Sequence, residues 1–159
     1  WVPRHRAQFD VAERLSREAG YGTARRSRGA AAPVDVLIGD TFGETGTYIQ
    51  AADVAFVGGS LVPLGGQNLL EPAALGVPVV TGPSTEHFAA AAHLLETAGA
   101  LERVADADAL GQTVSRLLGD ADLRLARGTS AREATASARG PVLRVAELVE
   151  QWLPALSAR

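Results

Sequence analysis

Short apolar runs recur along the chain, separated by longer stretches in which apolar and polar residues alternate with helical spacing. Short runs bounded by glycine, proline or polar residues are typical of buried strands. They predict strands at Val34 to Ile38, Val54 to Val57, Val77 to Val80 and, more weakly, Ala100 to Val104, with an edge strand at Tyr21 to Arg26. The strands are therefore spaced along the chain with room for a helix after most of them.

The stretches between and after the apolar runs have the spacing and the end signals of helices. They predict helices at Phe9 to Ala19, Glu44 to Ala52, Asn68 to Gly76, Ser84 or Thr85 to Thr97, Asp106 to Leu118, Ala121 to Ala136 and Pro141 to Leu153. Strands that alternate with helices form parallel sheets, because a parallel pair needs a crossover connection. The predicted fold class is α/β, a Rossmann-like parallel sheet flanked by helices.

The most informative stretch is the glycine-rich loop that follows the strand ending at Val57. Glycines let the backbone approach a ligand closely, and Asn68 and Glu71, three residues apart, project from one face of the next helix. A carboxylate placed there can accept hydrogen bonds from both hydroxyls of a ribose. The pattern predicts a nucleotide pocket without a P-loop lysine, and the alternative is a tight turn with a capped helix and no ligand.

Composition narrows the classes of function. The 159 residues suit one domain, and the net charge of −3 offers no broad basic surface for nucleic acid. The sequence has no cysteine for a disulfide or a thiolate, no Asp-x-Asp metal motif and no apolar run long enough to span a bilayer. We expect no metal and no cofactor.

Three blocks of residues, in order, carry a family resemblance. They are Val2-Pro3-Arg4-His5, Gly39-Asp40-Thr41-Phe42-Gly43-Glu44, and the stretch from Gly58-Gly59-Ser60 through Pro63 and Gly65-Gly66 to Asn68-Leu69-Leu70-Glu71-Pro72-Ala73. This pattern closely resembles the Kdo transferases, glycosyltransferases of lipopolysaccharide synthesis. They move 3-deoxy-D-manno-octulosonic acid (Kdo) from its CMP-activated form to lipid A precursor. The resemblance covers nearly the whole chain and weakens after about Gly99.

The resemblance implies the C-terminal half of a GT-B glycosyltransferase. Residues 1–159 would form the domain that binds the donor, CMP-Kdo, without its first strand and without the N-terminal domain that binds the acceptor, lipid A precursor. The family's general base belongs to that N-terminal domain, so no catalytic residue is assigned here and the chain alone is expected to be inactive. The full-length enzyme would work at the cytoplasmic face of the bacterial inner membrane.

Donor-binding residues are carried over from the same blocks. They are Pro3, Arg4, Phe42, Gly43, Glu44, Gly58, Gly59, Ser60, Asn68, Leu69, Leu70 and Glu71. Arg4 would hold the phosphate or the sugar-acid carboxylate of the donor. The Phe42 ring would either stack on cytosine or pack in the core. Glu71 would bind the ribose, with Asn68 beside it.

Other residues receive structural expectations. His87, at the start of a helix, is expected to be non-catalytic, and Ser84 or Thr85 should cap that helix. Arg124, Arg127, Arg132 and Arg139, with Glu133, are expected on solvated helix faces. Trp152 could anchor the last helix to the first domain.

The sequence departs from the family pattern at two positions. Gln67 stands where the family commonly has histidine, and Arg6 stands where it commonly has proline. Two alternatives to the Kdo interpretation stay open. One is the donor domain of another GT-B enzyme that uses a UDP-sugar, and the other is a solitary nucleotide-binding module.

Overall fold

The computed structural model describes residues 1–29, 33–137 and 149. The chain divides into two compact units, Trp1–Tyr48 (unit 1) and Ile49–Arg159 (unit 2). Each unit has a parallel sheet of its own.

Unit 1 pairs two short strands beside one amphipathic helix. Its elements are a 3₁₀ turn at Arg6–Gln8, α1 (Phe9–Glu18), β1 (Thr23–Arg25), a 3₁₀ turn at Arg26–Arg28, β2 (Val36–Ile38) and the start of α2 (Thr45–Gln50), whose last two residues are counted with unit 2. β1 and β2 are parallel, with Ala24 opposite Leu37. The first residues also lie against β2, since the Trp1 amino group donates to the Leu37 carbonyl at 2.8 Å and Gly39 N donates to the Trp1 carbonyl at 2.8 Å.

Unit 2 contains a three-stranded parallel sheet in the order β3-β4-β5. Its elements are β3 (Ala55–Val57), α3 (Leu70–Ala74), β4 (Val79–Thr81), a 3₁₀ turn at Glu86–Phe88, α4 (Ala89–Thr97), β5 (Leu101–Arg103), α5 (Ala107–Gly119) and α6 (Ala121–Ser137). In the middle strand, Val80 lies opposite Phe56 on one side and Glu102 on the other. β4 is buried along its whole length because helices and neighbouring strands surround it.

The expected α/β class of parallel strands and helices is confirmed, and each of the five expected strands is present at its predicted place. Where one sheet was expected, the described residues form two separate sheets, one of two strands and one of three. The helix predicted at Pro141 to Leu153, with Trp152, lies outside the described residues apart from Val149, and so does Arg139. No helix in the described part of the chain is long and apolar enough to cross a membrane.

Helix α6 closes the core of unit 2 against α3. Ala131 on α6 is buried in one cluster with Leu69, Val79 and Leu95. The two helices meet where a Cβ on Gly128 would overlap the Gly76 carbonyl oxygen. Gly128 therefore allows a close approach that any larger residue would prevent.

Arg132 and Glu133 on α6 are exposed, as the sequence pattern indicated, whereas Arg124 and Arg127 are half-buried. All three arginines also bond to the ends of other helices. Arg124 Nη1 donates to the carbonyls of Leu117 and Leu118 at the end of α5, and Arg132 Nη2 donates to the Leu75 carbonyl after α3 at 2.9 Å. Arg127 donates to the Gly99 carbonyl after α4. A cation at a helix C-terminus satisfies carbonyls that have no partner in the helix and opposes the helix dipole, so α6 ties three helix ends together.

Candidate functional site

The loop between β3 and α3 is shaped by glycines in left-handed backbone conformations. Gly59, Gly65 and Gly66 have φ values of 69°, 78° and 76°, which residues with a Cβ rarely adopt. Gly66 N donates to the Gly59 carbonyl at 2.9 Å and closes the loop on itself. A side chain at Gly58 would meet open space, so the start of the loop is accessible to a ligand.

Ser60 lies inside this loop rather than on its surface. Its side chain is 0% exposed. Its Oγ donates to the Val57 carbonyl at 2.6 Å and accepts from Gly82 N at 2.8 Å. Ser60 therefore links the end of β3 to the turn after β4, and its hydroxyl is occupied by these two contacts.

Asn68 and Glu71 lie together at the start of α3, as their spacing predicts. Asn68 Oδ1 accepts from Leu70 N at 3.0 Å, and Asn68 Nδ2 donates to Glu71 Oε1 at 3.1 Å. The Glu71 carboxylate is exposed. A carboxylate has about four acceptor positions, so Glu71 keeps acceptor capacity beyond the contact with Asn68.

The two leucines between these polar residues differ in their environment. Leu69 is fully buried and belongs to the core of unit 2, together with Ala73 and Val79. Leu70 is exposed at the surface beside Glu71. Leu69 therefore fixes the start of α3 to the core, and Leu70 is the member of the pair whose side chain a ligand can reach.

The segment after β4 contacts the glycine loop directly, which the sequence did not predict. Gly65 N donates to Ser84 Oγ at 2.8 Å, and His87 N donates to the Gly65 carbonyl at 3.1 Å. The expectation that Ser84 or Thr85 caps the following helix is wrong, because Thr85 Oγ1 accepts from Arg103 and a 3₁₀ turn intervenes before α4. The sequence feature that could have indicated this contact was the strand-to-helix loop after β4, because such loops lie at the same carboxyl edge of a parallel sheet.

In unit 1, Pro3 is buried and Arg4 is exposed. They follow Trp1, whose hydrogen bonds to Leu37 and Gly39 hold the backbone beside β2. Phe42 is 63% exposed, which excludes the core position that the sequence left open. Its ring contacts Arg6, whose guanidinium carbon lies 5.1 Å from the ring centroid, and Phe9, at a centroid distance of 6.3 Å.

Glu44 follows Gly43, which has a φ of 83°, and its carboxylate is held within unit 1. It accepts from the Thr41 hydroxyl, from Arg26 Nη2 at 3.0 Å and from the Tyr48 hydroxyl at 3.4 Å. The Thr41 hydrogen bond, aided by Arg26, lowers the pKa of Glu44 below its ordinary value. Glu44 is thus an ionised residue that fixes the turn after Gly43.

Acidic and histidine side chains do not form a metal site in the described ranges. No group of three or more His, Asp or Glu residues there comes together as metal ligands would. Beside the glycine loop, the exposed Glu71 carboxylate and the half-buried Asn68 amide are polar groups that a ligand can reach.

Comparisons with known proteins place these features in one family. A 3-deoxy-D-manno-octulosonic acid transferase from Bordetella pertussis is 44% identical over 155 residues, which is 96% of this chain and 36% of the relative. The corresponding enzyme of Haemophilus influenzae is 37% identical over the same share of each chain. No protein-family model matches the chain.

A solved structure gives the same result for the three-dimensional fold. The crystal structure of the C-terminal CMP-Kdo binding domain of WaaA from Acinetobacter baumannii superposes with a TM-score of 0.79 at 30% identity, covering 84% of this chain and 72% of that one. The chain belongs to the 3-deoxy-D-manno-octulosonic acid transferase family. It spans about a third of the length of the curated relatives it matches, 36% in both cases above.

Proposed function

We propose that this chain supplies the CMP-Kdo site of a GT-B Kdo transferase, which transfers Kdo from CMP-Kdo to lipid A precursor at the cytoplasmic face of the inner membrane. The observation that carries the proposal is the Asn68–Glu71 pair, in a loop and helix start whose first glycine, Gly58, faces open space. Further support comes from the relatives, which are Kdo transferases by name, and from the structural neighbour, which is a CMP-Kdo binding domain.

In unit 2 the proposed contacts follow from the polar atoms that remain available. Glu71 accepts hydrogen bonds from the ribose hydroxyls of CMP. Asn68 orients that carboxylate through Nδ2 and has a second N–H for the ligand. Gly58 and Gly59 let the donor approach the backbone, while the buried Ser60 and Leu69 hold the loop and the helix start in place.

In unit 1 the proposed contacts are of a different kind. Arg4 forms a charge-assisted hydrogen bond with the phosphate or the carboxylate of the donor. The exposed Phe42 ring stacks on cytosine, and Arg6 on that ring supports its orientation. Pro3 and Gly43 shape the backbone around these groups. Glu44 contributes through the turn that its carboxylate stabilises.

Calorimetric titration of CMP and 2′-deoxy-CMP into the 159-residue chain tests the ribose contact. We expect Glu71→Gln to weaken CMP binding by about 1–3 kcal/mol, as for a lost hydrogen bond to a charged group. Glu133→Gln, an exposed carboxylate on α6, is the matched control and should leave binding unchanged. Equal affinity of the wild type for both nucleotides would contradict the assignment of Glu71 to the ribose.

The same titration separates the proposed donor from its alternative and tests unit 1. Tighter binding of UDP than of CMP would indicate a UDP-sugar enzyme instead. Arg4→Ala should weaken binding of CMP-Kdo by about 1.5–3 kcal/mol. Arg14→Ala, which removes another exposed arginine of unit 1, should have no effect. Equal affinities of Arg4→Ala and Arg14→Ala for CMP-Kdo would show that Arg4 does not contact the donor.

A further inference from the structure

The Gly65 peptide units are held from two directions by one segment, Ser84 to His87. On the amino side, Gly65 N donates to Ser84 Oγ at 2.8 Å. On the carboxyl side, the Gly65 carbonyl accepts from His87 N at 3.1 Å. Both backbone polar groups of this loop residue therefore have their partners in the segment after β4.

The His87 ring adds a packing contact to these hydrogen bonds. A Cβ built on Gly65 would lie 2.5 Å from His87 Cε1 and 2.6 Å from His87 Cγ. The space that a side chain would occupy at Gly65 is thus filled by the imidazole. The ring covers the Gly65 Cα on one side, while other parts of the His87 side chain remain exposed.

The Ser84 hydroxyl is itself oriented by a neighbour. Ser84 is 7% exposed, and its Oγ donates to Glu86 Oε2 at 2.7 Å. A hydroxyl has a single proton, so donation to Glu86 leaves the oxygen lone pairs to accept from Gly65 N. Gly66 is also confined, because a Cβ there would lie 3.1 Å from the Ser84 carbonyl oxygen.

We propose that Ser84 and His87 are positioning residues for the donor. They hold the Gly65–Gly66 turn in its left-handed conformation and thereby fix the backbone of the loop from Gly58 to Asn68 before the donor binds. The inference rests on the proposed function of this loop. A glycine-rich loop is costly to order. If the loop is already ordered in the ligand-free chain, ligand binding does not have to supply the free energy of ordering it. Loss of the anchoring contacts should therefore lower the affinity for the ligand.

Two measurements on the 159-residue chain test the inference. In the ligand-free chain, Ser84→Ala should speed hydrogen exchange of the Gly65 amide, measured by NMR. In a calorimetric titration the same variant should weaken CMP binding about tenfold, the range expected for one lost buried hydrogen bond. Thr135→Val is the matched control, since it removes a buried hydroxyl that donates to carbonyls of α6 itself, at Ala131 and Arg132. It should leave both quantities unchanged.

The role of His87 is tested by a pair of variants. His87→Ala removes the ring and should weaken CMP binding several-fold. His87→Phe keeps a flat ring over Gly65 and should restore most of the affinity. If His87→Phe is as impaired as His87→Ala, the imidazole nitrogens contact the nucleotide and the assignment of His87 as a positioning residue is overturned.

The outcomes distinguish this inference from the function on which it rests. Gly65 exchange that is unaltered in Ser84→Ala overturns the inference, whatever the nucleotide affinity. A wild-type chain that binds neither CMP nor CMP-Kdo, with Gly65 exchange still dependent on Ser84, refutes the proposed donor site and leaves the anchoring of the loop intact.

Discussion

Glu44 illustrates how a residue of a family motif can act through its neighbours. The motif around Phe42 assigns it to the donor site, and in the structure its carboxylate accepts from Thr41, Arg26 and Tyr48. The lowered pKa shows that these partners favour the ionised form. A group whose pKa is lower in the folded state stabilises the fold above its unfolded pKa and loses that contribution as the pH falls.

Removing the Thr41 hydroxyl tests this account. In Thr41→Val we expect the pKa of Glu44, followed by NMR of the carboxyl carbon, to move up towards its ordinary value. The variant should be less stable than the wild type at about pH 6, and the difference should shrink as the pH falls through the lowered pKa of Glu44, because the carboxylate then becomes protonated in both proteins. Thr47→Val, a change at an exposed threonine of α2, is the control. A difference that persists at low pH would mean that Thr41 acts by packing alone.

At the scale of elements, the helix that carries Glu71 depends on α6. α3 has only five residues, Leu70 to Ala74, and helices this short are unstable without tertiary contacts. Gly128 allows α6 to reach the Gly76 carbonyl, and Arg132 donates to the Leu75 carbonyl at the end of α3. The position of Glu71 therefore depends on the packing of α3 against α6, a helix about sixty residues further along the chain.

Two glycine substitutions separate close packing from intrinsic helix propensity. Gly128→Ala should destabilise the chain by about 1–3 kcal/mol in urea unfolding, because the new methyl group overlaps backbone. Gly111→Ala, in α5, meets open space. It should stabilise by about 0.4–1 kcal/mol through the lower entropy of the unfolded chain. Equal effects of the two substitutions would show that α6 and α3 are not in the tight contact described.

At the scale of the whole molecule, each of the two units has its own parallel sheet, and the chain shares its fold with a CMP-Kdo binding domain of its family. Some of its charges are neutralised in ion pairs: Glu13 in unit 1 lies 2.6 Å from both Arg17 Nη2 and Arg25 Nε. With a net charge of −3, the molecule has no general attraction for anions. Recognition of an anionic donor must then depend on particular groups such as Arg4.

Donor binding should be visible in the stability of the whole chain. At a CMP concentration about a hundred times the dissociation constant, a ligand that binds only the folded state adds about 2.7 kcal/mol. For a chain of this size that corresponds to a rise of about 5–10 °C in the unfolding temperature. The rise should be smaller in Glu71→Gln at the same CMP concentration. An unfolding temperature that CMP does not change would contradict the proposed donor site.

The sequence by itself determined the elements and the local pairings of this protein. Apolar runs and glycine ends predicted all five strands, and the three-residue spacing of Asn68 and Glu71 predicted their contact, because neighbours on one turn of a helix meet whatever surrounds them. The sequence motifs also showed the resemblance to the Kdo transferases.

Tertiary structure alone decided which polar groups remain available to a ligand. From the sequence, Ser60 was assigned to donor binding through the family resemblance, and Ser84 was expected to cap a helix. In the fold they bridge residues about twenty positions apart, and the arginines of α6 cap the ends of other helices. Such contacts depend on which strands lie side by side. A hydrogen bond is short-ranged and directional, and local sequence patterns carry no information about partners that are distant along the chain.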